Sequence, residues 1–259
     1  MSAKVIRFDV NRIVRVLCTA VVVLLVLSVL FEWLKLQRGA ERVFGIRNFF
    51  AVDEEFNLPS VFSFLDMLFA ALLLFLQARL EQGVKLKRYW TGLGCVFVYL
   101  AFDELLSIHE RLGPIMRAEF GATHGAFYFA WVLAALPLLA VFGLVYLRFL
   151  LWLPRRLALG LVLAGTVYLG GALGVEMIGG WYSEQYGEQN LGYKLITTLE
   201  ESCEMFGVLL LVRLMLHQLA PRGAVSVDFN VAAQPALQTG TDGVSSGSAA
   251  GSGLWQKRR

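Results

Sequence analysis

Charge is scarce in this chain, and cysteine scarcer still: 17% of its 259 residues are Asp, Glu, Lys or Arg, and only three are cysteines. A soluble domain of this length carries about a quarter of its residues charged, so a surface wetted all round is excluded. Cys18, Cys95 and Cys203 share no CxxC spacing, which removes a disulfide framework and a zinc ribbon. No alternation of polar and apolar residues suggests an outer-membrane barrel. No internal repeat supports an inverted-repeat transporter. The net charge of +3 does not point to nucleic acid, because the basic residues fall between apolar blocks, where they orient a membrane protein.

What the chain has instead is apolar length. Six blocks, Ile13–Leu34, Val61–Leu80, Tyr89–Ile108, Ala126–Leu151, Leu157–Ile178 and Leu195–Leu216, are each near the twenty or so residues that cross a bilayer as a helix. Only helices satisfy their own backbone groups in lipid, so the sequence predicts an all-α, polytopic bundle of six transmembrane helices over residues 1–220. The first block follows Lys4, Arg7, Arg12 and Arg15 but lacks a small-x-small cleavage site, so it reads as a retained signal anchor. Residues 221–259 become rich in Gly, Ser, Ala and Thr and read as a disordered cytoplasmic tail.

Basic residues set the orientation. The N-terminal arm, the second connection (Arg79, Lys85, Lys87, Arg88), the fourth (Arg148, Arg155, Arg156) and the tail share one side of a six-helix chain. That side is cytoplasmic, giving N-in and C-in in a cell membrane of the bacterial inner-membrane type. Lys35, Arg38, Arg42 and Arg47 in the first connection run against the rule.

The scarcity of charge is broken in one place. Acids are costly within a bilayer, at roughly 2.5–3.5 kcal/mol each on an insertion scale, yet four predicted helices carry them. The second has Asp66. The third ends Asp103-Glu104-Leu-Leu-Ser107-Ile-His109-Glu110, the fifth holds Glu176, and the sixth opens with Glu200, Glu201 and Glu204. Counting inward at about 1.5 Å per residue places all of them in one layer just beneath the outer surface. Asp103, Ser107 and Glu110 fall on one helical stripe with Glu104 on its shoulder, and Glu200 aligns with Glu204. His109 points about 100° away from Glu110.

So many carboxylates with only Arg111 and Lys194 nearby need protons or a bound cation. The sequence therefore nominates Asp66, Asp103, His109, Glu110, Glu176, Glu200 and Glu204 as ligands of a divalent metal (Fe, Zn, Mn or Ca), with Asp103 or Glu204 as catalytic base. The ordinary reading is that Glu104, Glu110 and Glu201 are simply solvated near helix ends. His124, at the entry to the fourth block, is a weaker second imidazole. Asn57 or Ser60 is expected to cap the second helix, and Asp53, Glu54 and Glu55 to overhang the site. Neither the Glu-x-x-His of di-iron bundles nor His-Glu-x-x-His is present.

Three functions compete: a membrane-embedded metal-dependent enzyme acting on a lipid or other apolar substrate, a structural subunit, and a cation or proton transporter. The inner halves of the helices are dry (Val-Val-Val-Leu-Leu, Leu-Leu-Leu-Phe-Leu), which favours a one-sided pocket over a transport path.

Overall fold

A computed structural model describes residues 4–7, 9–38, 49–52, 56–121, 123–220 and 226–229. The fold is built of helices: α1 (Val10–Arg38), α2 (Leu58–Leu80), α3 (Val84–Leu106), α4 (Leu112–Phe120), α5 (Val132–Trp152), α6 (Arg155–Leu169), α7 (Glu176–Tyr186) and α8 (Leu191–Leu219). A six-residue π-helical segment, Gly170–Val175, joins α6 to α7 without a break. Two short strands, β1 (Lys4–Arg7) and β2 (Ser226–Phe229), pair with each other. The rest of the expected tail lies outside the described residues, as do Asp53, Glu54 and Glu55.

Four helical stretches are long and apolar enough to cross a membrane: Val10–Lys35, Leu58–Leu80, Val132–Trp152 and Arg155–Tyr186. The other two long helices, α3 and α8, carry the acids and several bases, which lower their mean hydropathy.

Local chemistry explains where the helices start and stop. Asn57 caps α2 in a reciprocal box: its Oδ1 accepts from the Ser60 amide at 3.1 Å, and Ser60 Oγ accepts from the Asn57 amide at 3.0 Å. Two orphan N–H groups are satisfied at once, with Pro59 in the first turn, where its missing N–H costs nothing. At its far end α3 stops at Leu106, two residues short of the expected end at Ile108. Ser107 takes up left-handed backbone (φ 44°), and its amide donates back to the Asp103 carbonyl. The fourth block also begins later than the apolar run suggests. Gly125, at φ 60°, opens a short 3-10 turn, and α5 proper starts at Val132.

α8 is the central element, packing on α1, α2, α6 and α7. The main core gathers on its C-terminal half, where Met67 and Leu74 of α2, Trp90 of α3 and Val208, Val212 and Met215 of α8 are all buried. α6 and α8 approach closely because glycine stands at the crossing. A Cβ on Gly207 would lie 2.6 Å from the Tyr168 amide nitrogen, and one on Gly171 would lie 2.7 Å from the Glu200 carbonyl oxygen. α5 is the opposite case, with only Val132 and Phe149 buried along its length.

Candidate functional site

The close contact of α8 with α6, and the loose seating of α5, leave a cavity of about 600 Å³ between α3, α5, α6 and α8. That is within the usual size for a small-molecule site. Its walls are apolar, with Leu93, Phe97, Leu138, Phe142, Leu161 and Leu211 among them. One end is lined by aromatics: Tyr146 Oη donates to the Tyr89 carbonyl at 3.2 Å, and the Tyr146 ring meets Phe149 edge-on. The other end is acidic, lined by Asp103, Glu104, Glu200 and Glu204 together with His109, Trp131 and Tyr168.

The break in α3 builds this acidic end. Once Ser107 turns the chain, His109 folds back over the last turn of the helix. Its amide donates to Asp103 Oδ1 at 2.8 Å, and its Nδ1 pairs with Asp103 Oδ2 at 2.9 Å. A carboxylate holding both backbone and imidazole fixes the ring and leaves Nε2 as the nitrogen that can meet a ligand. Trp131 packs on the imidazole, centroids 4.6 Å apart, while its indole N–H donates to Glu176 Oε1 at 3.0 Å. Glu176 in turn lies close to Glu200, and Tyr168 lies close to Glu204. A chain of contacts thus runs from α3 through Trp131 to α7 and α8.

The turn that carries His109 lies beyond α3. Burial pulls the imidazole pKa down, but the hydrogen bond to Asp103 and the charges of Asp103, Glu110 and Glu176 outweigh it, and the net shift is upward. A base whose folded pKa is raised binds its proton more tightly in the native state. Its contribution to stability is complete below the unfolded value, about 6.5, and is lost as pH rises through the folded value. The melting temperature of the purified protein is therefore expected to fall as pH is raised above about 6.5, and His109→Gln is expected to flatten that slope. An unchanged slope in the variant would remove His109 as its source.

Of the residues nominated from sequence, Asp103, His109, Glu200 and Glu204 meet at the cavity, and Glu176 joins them through Trp131 and Glu200. Two do not. Glu110 does not continue the Asp103–Ser107 stripe, because the helix has ended; it is exposed and lines no part of the cavity. Asp66 also stands apart, buried on α2, where both its carboxyl oxygens and the nearby Ser63 hydroxyl lack a hydrogen-bond partner among the described residues. An unpaired buried carboxyl is a net cost, so Asp66→Leu is expected to stabilise the fold by about 1–3 kcal/mol, read by denaturant titration in mixed micelles. Destabilisation would show that the carboxyl has a structural role.

Three residues escaped the sequence reading: Glu104, read as solvated, and Trp131 and Tyr168, which lie in apolar runs with no charge or motif beside them to single them out. His124 supplies no second imidazole. It pairs at the surface with Glu184 at 2.7 Å, and the other oxygen of Glu184 takes the Gly125 amide, clasping the turn before α5 to α7. Among the described residues no group of three or more His, Cys, Asp or Glu side chains is arranged to hold a metal ion.

Residues 16–219 match the family described as Domain of unknown function (DUF8692). The chain belongs to that family. The match begins within α1 and ends at the last residue of α8, so the DUF8692 unit includes every helix that lines the cavity. No curated protein and no solved structure matches the chain.

Proposed function

We propose that this DUF8692 protein crosses a cell membrane six times with both termini on the cytoplasmic side. It takes one lipid-like molecule from the bilayer into the cavity and performs proton-transfer chemistry on that molecule's polar end. The observation that carries the reading is the cavity itself, about 600 Å³, apolar along its length and acidic at one end. A pocket of this kind suits an amphiphile, since apolar walls supply the affinity and a few polar groups fix orientation.

The topology rests on the basic residues of the N-terminal arm and of the α2–α3 and α5–α6 connections, which fall on one side if all six long helical stretches cross. α8, with 29 residues, is about 43 Å long against a hydrocarbon core of about 30 Å. Glu200 and Glu204 then lie in the outer leaflet, at the level of a lipid's upper chain and head. α5, barely buried, is the side through which a lipid enters. At the acidic end His109, held by Asp103, and Glu204, beside Tyr168, are the pair that gives and takes the proton.

Transport would need polar groups along the whole crossing, whereas away from the carboxyl end the cavity is lined by apolar side chains such as Phe142, Phe149 and Leu150.

Gly165 lines the cavity, and beyond its Cα there is open space, so a side chain can be added there without backbone strain. Wild-type protein in nanodiscs is expected to release about one apolar molecule per chain on solvent extraction. Gly165→Leu, equally folded by circular dichroism, is expected to release far less. Equal yields from the two would sink the proposal.

A further inference from the structure

We infer that one anionic phospholipid sets its headgroup between Lys85 and Arg148, at the ring of Trp152, outside the cavity. The inference rests on the membrane crossing proposed above and not on the cavity. Residues 79–88, where α2 passes into α3, hold four bases and one acid, and residues 148–156, where α5 passes into α6, hold three bases and no acid. The acid, Glu81, accepts the Gly83 amide at 3.4 Å. No described acid forms an ion pair with any of the seven bases. Two of them converge. Lys85 Nζ, on α3, stands 6.0 Å from the centroid of Trp152, and Arg148 Cζ, on α5, stands 5.9 Å from it. The ring is itself held in place: Tyr89 meets it edge-on at 5.9 Å and stacks on the buried Phe149 at 5.2 Å.

An aromatic face attracts a cation but leaves its charge in place. The two cations therefore repel each other. Lys85 also stands in the first turn of α3, where the positive end of the helix dipole adds to the repulsion. A phosphate between them supplies the charge that the chain does not. That phosphate belongs to a lipid. Trp152 marks the depth at which headgroups lie, and Leu144, Arg148 and Leu151 form one stripe along α5, both leucines 75% exposed. A head at Arg148 thus has an open apolar track for its chain, which a soluble anion would not use. Basic pockets between helices at the cytoplasmic face take anionic heads in this way. A choline head would bring its own cation against the two already there. The carboxyl end does not reach this site, because Asp103 lies about 27 Å further along α3.

The test titrates the full chain in detergent micelles with phosphatidylglycerol or phosphatidylcholine of equal chains and counts bound lipid by native mass spectrometry. Phosphatidylglycerol is expected to fill one site at least about tenfold more tightly than phosphatidylcholine. Lys85→Gln/Arg148→Gln should abolish that preference while its melting temperature and phosphatidylcholine binding stay as in wild type, which shows that the variant is folded. Lys87→Gln/Arg88→Gln removes equal charge from bases that do not stack on Trp152, and should keep the preference. No preference in the wild type, or equal loss in the two double variants, would overturn the site. Inorganic phosphate displacing the lipid at equal concentration would overturn the lipid assignment. Gly165→Leu should leave the preference intact, and its loss there would place the selected lipid in the cavity and overturn this site. A chain that stays soluble without detergent or lipid would overturn the membrane crossing, and this inference with it.

Discussion

Gly207→Val is expected to destabilise the bundle by about 3 kcal/mol, at the upper end of the range for overpacking a core. The reason is that the atoms in the way belong to the main chain. A Cβ at this position meets the amide nitrogen and Cα of Tyr168 at 2.6 and 2.8 Å, so no rotamer change on α6 relieves the clash and the two helices must separate. Separation would also strip Tyr168 from Glu204 and open the acidic end of the cavity. Gly143→Ala is the matched control, because open space surrounds a Cβ there. Denaturant titration in mixed micelles compares the two. Equal stability of both variants would show that the α6–α8 approach is looser than described.

Trp131→Ala should cost a similar amount, about 3 kcal/mol, the lower end for removing a large aromatic. Two losses coincide: the face that packs on His109 and the donor that satisfies Glu176. Trp131→Phe separates them. It restores the ring but leaves Glu176 one donor short, for a smaller loss of about 1–3 kcal/mol. Hydrogen exchange across residues 107–131 should rise sharply in the alanine variant and little in the phenylalanine one. If phenylalanine is as damaging as alanine, the indole hydrogen bond is the whole effect. If it is harmless, that bond contributes nothing.

These two residues also mark how far the sequence could be read. The long helices were legible because each satisfies a simple length rule, and Asn57 was legible as a cap because its side chain reaches the next turn unaided. α4 was not: nine residues with Gly113 and Pro114 in the first turn carry no periodic signal strong enough to stand out. The acids were found because charge in an apolar run is conspicuous. Their geometry was not found, since it turns on Ser107 leaving the helix, and nothing local to a serine announces left-handed backbone. With the helix assumed to continue, Glu110 stayed on the stripe and His109 was turned away, the reverse of what the structure shows. Trp131 was invisible for a different reason. It acts by packing on His109 while bonding Glu176 of α7, and a bond between residues 45 apart in sequence leaves no mark near either.

The π-helical segment between α6 and α7 has a rotational meaning. In an uninterrupted α-helix each residue advances the phase by about 100°, so two positions a fixed number apart always face the same relative directions. Over Gly170–Val175 the wider winding, bonded i to i+5, lets the second half fall out of phase with the first. The chain can therefore present Leu161, Gly165 and Tyr168 to the cavity from one half, then turn Glu176 towards Trp131 and Glu200 from the other. One continuous rod thereby serves two azimuths. A helix of the same length and strict α winding would have to choose between walling the apolar chamber and closing the carboxyl cluster.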